Sequence, residues 1–230
     1  MGTKLTPVAF DVETTGFESD STVTVLGLVL PLGCRVFLNA GGRPADRDRL
    51  ERELETEFDA VVRVSCHRNE RELLAAVAEF VAESIADDDY MLVAYNGELY
   101  RGGFDLPFLR TRCALLDCRW PFDGVPYADL LPIFRARFNT TVDEEQVNDL
   151  EGAYQALIGD GLTALDPFAD SREAVAAFER GEFRPLLAHN LADILRTDAL
   201  AGVAQRYCGT SEFDLKSLTP TLRDPSLTGR

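Results

Sequence analysis

Asp11 and Glu13 stand two residues apart in an otherwise apolar stretch, Val8 to Gly16, that reads Val-Ala-Phe-Asp-Val-Glu-Thr-Thr-Gly. Side chains of a strand alternate between its faces, so both carboxylates project to one side while Val8, Phe10 and Val12 take the other. Two carboxylates on one face of an apolar strand repel each other and resist desolvation. Protonation, a basic side chain between them or a shared divalent cation relieves this. Oxygen donors of this kind suit magnesium or manganese. An exposed strand end with solvated carboxylates is the plainer alternative. Thr14, Thr15 and Gly16 close the strand with a turn signal.

Matching groups recur downstream. Asp105 begins an apolar helical segment, Phe104-Asp105-Leu106-Pro107-Phe108-Leu109. His189 and Asp193 are four apart on a long helical pattern and so share a face. The set is four carboxylates and one imidazole, a donor set suited to divalent cations and to activating water. Plainer roles stand beside this one: Asp105 as a helix N-cap, Asp193 as a partner of Arg196, and His67 as a structural histidine.

The elements that must position these groups follow from periodicity. The strand at 8–16 precedes two more, at 22–30 and 34–39, joined by short turns that predict an antiparallel meander. Leu50, Leu54 and Phe58 mark a helix over 46–58, and a short strand is expected at 60–65. Asn69, with Glu72 three residues on, caps an amphipathic helix that closes at the acidic run 87–89. A buried strand at 91–94 ends in Tyr95-Asn96-Gly97, and a helix with Pro107 in its first turn spans 106–116. An extended segment at 125–130 and helices at 147–158, 171–180 and 185–207 complete the pattern. Strands first, then strands alternating with helices, predict an α/β fold with a mixed central sheet flanked by helices.

Composition bounds the function classes. The 230 residues carry a net charge of −16, and 46% are hydrophobic. No apolar run reaches the ~18 residues of a membrane helix, no leader-like segment precedes the first strand, and no membrane partner is expected. A cytoplasmic protein is expected. Five cysteines, an odd number without a Cys-x-x-Cys pair, argue against a disulfide framework or a zinc knuckle. Lys4 and Lys216 are the only lysines, which leaves 21 of the 23 basic residues as arginine. Abundant acid with scarce lysine predicts a protein suited to a salt-rich cytoplasm, where ions screen self-repulsion.

Read in order, Asp11-x-Glu13, Tyr95-Asn96-Gly97, Phe104-Asp105-Leu106-Pro107-Phe108-Leu109 and Ala188-His189-Asn190-Leu191-Ala192-Asp193 resemble the three motifs of the DEDD 3′–5′ exonuclease superfamily. The nearest resemblance is to YprB-type ribonuclease H-like domains, through Asp129-Leu130, Leu150-Glu151 and Asn190 to Asp193. It covers about residues 8 to 205. It implies a ribonuclease H-like domain over 1–216, with 217–230 as a C-terminal tail. It also implies that Asp11, Glu13, Asp105 and Asp193 hold two Mg²⁺ or Mn²⁺ ions, and that His189 activates water. DNA or RNA ends are the implied partner. Asn96, Thr14, Arg110 and Arg112, with Arg101, are the candidates for contacting sugar and phosphate. Two departures stand out: Glu98 to Gly103 lengthens one loop, and His189 occupies the spacing the family gives to tyrosine. A turnover-deficient nucleic-acid-binding or scaffold domain, or a phosphatase or small-nucleotide hydrolase, would use the same fold.

The charge balance carries its own test. Thermal stability is expected to rise as potassium chloride increases from dilute buffer toward molar concentrations; full stability in dilute buffer would count against salt adaptation.

Overall fold

A computed structural model describes residues 5–86, 89–98, 103–169 and 171–221, without the side chain at 171. Arg101, Asp87, Asp88 and the last nine residues of the expected tail lie outside the described residues.

Three strands form the expected meander: β1 (Thr6–Thr14), β2 (Val23–Leu30) and β3 (Gly33–Asn39). Helix α1 (Arg47–Phe58) follows, then β4 (Val62–His67), α2 (Glu70–Ser84) and β5 (Tyr90–Ala94). Next come α3 (Asp105–Leu116), β6 (Pro126–Asp129) and α4 (Leu130–Arg137). A two-residue hairpin, β7 (Thr141–Val142) and β8 (Glu145–Gln146), precedes α5 (Leu150–Leu157), α6 (Ser171–Arg180), α7 (Phe183–Tyr207) and β9 (Lys216–Ser217).

One seven-stranded sheet has the order β4-β3-β2-β1-β5-β6-β9. β2 runs antiparallel to β1 and β3, while β5 is parallel to β1, β6 to β5 and β4 to β3. This mixed order, with helices on both faces, agrees with a ribonuclease H-like α/β fold. Alternation along β1 decides which layer each side chain joins. Val8, Phe10 and Val12 pack with α2 and α3, through Leu73, Val77, Leu106 and Leu109. Ala9 faces α7, with Leu187, Leu191 and Ile194. Asp11 and Glu13 continue that second face. No described helix is long and apolar enough to cross a membrane.

Three expectations change. Helix α4 and the β7–β8 hairpin were not anticipated; Pro132 in α4 broke the periodicity, yet at the third helical position its missing N–H costs nothing. The tail does not begin at 217. Ser217 pairs with Pro126, Leu218 is buried, and Trp120 Nε1 donates to the Leu218 carbonyl at 3.0 Å. Nor does Arg112 face a phosphate. Its guanidinium donates to Glu70 at 2.9 and 2.7 Å and to the Ser19 carbonyl at 2.8 Å. Glu70 Oε1 also accepts from the Val23 N–H at 2.9 Å. The pair therefore joins α2 and α3 to the start of β2, in a site where both residues are buried.

Removing one member of such a pair strands the other charge without a partner. Arg112→Ala is expected to lower unfolding stability by about 3–5 kcal/mol in denaturant titrations; a change within ~0.5 kcal/mol would show the pair to be dispensable.

Candidate metal centre

β1 carries Asp11 and Glu13 to the end of the sheet, beyond the last residues of β1 that pair with β5. Its two neighbours run in opposite senses, β2 antiparallel and β5 parallel to it, and the carboxyl end of a strand at such a switch is where open α/β sheets place their ligands. Between Glu13 and Thr14 the β1–β2 register slips, so that Glu13 pairs with Val25 and Thr14 with Val23. Such a bulge re-aims the side chains around it. Thr14, expected to contact substrate, instead closes the turn: its Oγ1 donates to the Gly16 carbonyl at 2.8 Å.

Helix α7 crosses β1 and β2 and supplies most of the remaining groups. Asn190 Nδ2 donates to Asp11 Oδ2 at 3.0 Å. That close approach depends on Gly27 in β2, where a Cβ would stand 2.1 Å from Asn190 Oδ1. A lone glycine within Val-Thr-Val-Leu-Gly-Leu-Val-Leu was the available signal, since glycine inside a strand marks a close neighbour. One turn on, Asp193 Oδ1 accepts from Arg196 Nη1 at 2.6 Å, the pairing that the sequence offered as an alternative role. The same Nη1 donates to Asp166 Oδ2 at 2.7 Å. Asp166 Oδ1 in turn lies 2.7 Å from His189 Nδ1. Asp166 had no signal of its own; it precedes Pro167 in an aperiodic loop after the short 3-10 turn Thr163–Leu165.

Asp105 is the first residue of α3, and Phe104 occupies the capping position, so Asp105 is not the helix cap. It is buried, and a Cβ at Gly97 would lie 3.5 Å from its Oδ2. Asp129 organises the turn beneath it. Its carboxylate accepts from the N–H groups of Asn96, Glu98 and Leu131 at 2.9, 3.1 and 3.0 Å, and from Tyr127 Oη at 3.2 Å. Asn96 sits in that turn with φ of 64°, a left-handed conformation that asparagine tolerates. Its Oδ1 is buried and has no partner among the described residues. Arg110 pairs with Glu98 at 2.6 Å and lies over Trp120; Lys216 reaches the same carboxylate at 3.3 Å.

The charges interact strongly. Burial, then the charges of Asp105, Glu13 and Asp193, push the Asp11 carboxyl well above the usual range. Burial and Glu13 do the same to Asp105. Burial carries Glu13 to about 7, against the opposing pull of His189. Asp193 is raised by burial in spite of His189 and Arg196. Burial alone would lower the pKa of His189, but the Asp166 hydrogen bond and the surrounding carboxylates lift it to about 9. Of the five expected site residues, Glu13, His189 and Asp193 bring donor atoms within 4.8 Å of one another, a group that could hold a metal ion. Asp11 and Asp105 both feel the charges of Glu13 and Asp193.

Beside Asp105 lies an aromatic shelf that sequence patterning did not pick out. Phe17 is 77% exposed. Its ring meets Phe104 edge-on at 5.2 Å, and Phe104 stacks on Phe108 at 4.7 Å. No family model matches the chain, and no curated protein matches it.

The raised values fix the sign of a pH dependence. In the folded protein Glu13 holds its proton to about 7, against 4.5 for the free group, and His189 to about 9, against 6.5. Between these limits the folded state binds more protons than the unfolded chain, so stability falls as pH rises. The melting temperature in chelator is expected to fall from pH 5 to pH 9. Mn²⁺ at 100 times its Kd should restore roughly 5–10 °C at pH 8. A melting temperature that is flat across this range, or unmoved by Mn²⁺, would contradict the charge arrangement.

Proposed function

We propose that this protein is a divalent-metal-dependent 3′–5′ exonuclease that hydrolyses phosphodiester bonds at DNA or RNA ends. One observation carries the proposal. Asp11, Glu13, Asp105 and Asp193, drawn from three distant segments, come close enough that the charges of Glu13 and Asp193 raise the proton affinity of both Asp11 and Asp105.

The donor set fits Mg²⁺ or Mn²⁺: Asp11, Glu13, Asp105 and Asp193 are all oxygen donors, and among the described residues the arginine paired with one of them, Arg196, is shared between Asp193 and Asp166. Asp11, Glu13, Asp105 and Asp193 would hold two such ions. Cations bound there supply neutralisation of the phosphodiester charge and acidification of the attacking water. The chain's own groups do the positioning. Asn190 fixes the rotamer of Asp11, and Asp129 holds the turn that places Gly97 against Asp105.

The Phe17–Phe104–Phe108 shelf favours nucleic acid over a bare phosphate monoester, because an exposed ring beside a phosphate-cleaving site can stack a terminal base. The chain's net charge of −16 opposes nucleic acid in dilute buffer. In molar salt the Debye length shrinks to about 3 Å, and only local contacts count. The order of the acidic motifs, which resembles that of DEDD exonucleases, supports the same conclusion.

The test is nucleotide release from 5′-labelled single-stranded DNA and RNA in molar potassium chloride with Mn²⁺. A ladder shortening from the 3′ end is expected, and Asp11→Ala should slow it at least ~100-fold. No release by folded wild-type protein would point instead to a binding or scaffold domain. Phe17→Ala should weaken binding of a single-stranded end about 5- to 150-fold; unchanged affinity would remove the shelf from the substrate path.

A further inference from the structure

The surroundings of His189 fit a task other than accepting a proton from water. Its ring is pinned from behind. Asp166 Oδ1 lies 2.7 Å from Nδ1, and Phe168 packs against the imidazole with centroids 5.6 Å apart. Asp166 is itself fixed, by Arg196 Nη1 at 2.7 Å and by the Phe168 N–H at 3.2 Å. A carboxylate at Nδ1 favours a proton there and leaves Nε2 toward Glu13 and Asp193, the arrangement that orients histidine toward metals.

Nε2 lies 3.8 Å from Glu13 Oε1 and 4.0 Å from Asp193 Oδ2. Both separations exceed hydrogen-bond reach. Both fit ligands of a shared cation, since two donors each about 2.1 Å from one ion stand about 3–4.2 Å apart. All three donor atoms fall within 4.8 Å of one another, so a small closure completes the set.

We infer that His189 Nε2 is a direct ligand of the divalent cation held by Glu13 and Asp193, and that Asp166, anchored by Arg196, is the positioning residue that aims it. The inference rests on the metal centre proposed above and reassigns His189 from water activation to coordination. One ion then sees a mixed nitrogen and oxygen set, while Asp11 and Asp105 offer oxygen alone. An imidazole among the ligands shifts preference away from Mg²⁺ toward Mn²⁺, Co²⁺ or Zn²⁺.

Pulsed electron paramagnetic resonance of the Mn²⁺-loaded full chain tests this without a substitution. Protein made with ¹⁵N-histidine should replace the ¹⁴N modulation of a coordinated imidazole with ¹⁵N features. The chain has two histidines, and the other, His67, pairs through Nε2 with Ser65 Oγ at 3.0 Å on β4. The coupling should vanish in His189→Gln and persist in His67→Gln. Asp166→Ala should weaken Mn²⁺ binding about 10- to 100-fold. Stoichiometric Mn²⁺ without histidine coupling would overturn the assignment and leave the carboxylate centre standing. No stoichiometric Mn²⁺ would overturn both. Unchanged Mn²⁺ affinity in Asp166→Ala would overturn the role of Asp166.

Discussion

Carboxylates that share a poorly hydrated crevice cannot all be ionised unless positive charge stands among them. That constraint governs the end of β1. Burial, by removing the water that would screen them, and then the charges of Glu13 and Asp193 disfavour ionisation of both Asp11 and Asp105. A fold that tolerates such a cluster must either hold protons there or admit a cation. Glu13, His189 and Asp193, with donor atoms within 4.8 Å of one another, could serve the second. Arg196 neutralises Asp193 and Asp166 through one nitrogen, Nη1, at 2.6 and 2.7 Å.

The rest of the architecture keeps these groups in place. The central position of β1 sets where Asp11 and Glu13 emerge, since they pair with Gly27 and Val25 of β2 just past the residues that pair with β5. Helix α7 fixes the other half: His189, Asn190, Asp193 and Arg196 lie along one stripe, and the helix is buried for most of its length. Gly27 sets the distance between the two halves, because Asn190 reaches Asp11 only where β2 lacks a side chain. The Glu70–Arg112 pair does for the opposite layer what Asn190 does for this one, tying α2 and α3 to the start of β2.

Local pattern made much of this legible. The period-2 alternation of β1 placed Asp11 and Glu13 on one face, and the 3.6-residue period placed His189 beside Asp193. The meander and the long helices also followed from periodicity. What failed was long-range. Arg112 reads as a free cation near Asp105 until the fold brings Glu70, 42 residues away, against it. Asp166 sits 23 residues before His189 in a loop with no repeating pattern, so nothing short of the folded chain could join them. Helix α4 escaped because proline in its first turn resembles a breaker. Thr14 reads as a substrate contact, yet its hydroxyl is spent on a turn.

The distance along the chain between Glu13 and Asp193 has a consequence for biosynthesis. β1 to β3 form a local meander able to take shape early, but His189 and Asp193 arrive only with α7, the last α-helix among the described residues. A nascent or prematurely terminated chain that stops before α7 therefore displays Asp11, Glu13 and Asp105 without the imidazole or the fourth carboxylate. Vectorial synthesis postpones the meeting of these groups until α7 has left the ribosome, and a fragment ending before α7 cannot bring them together.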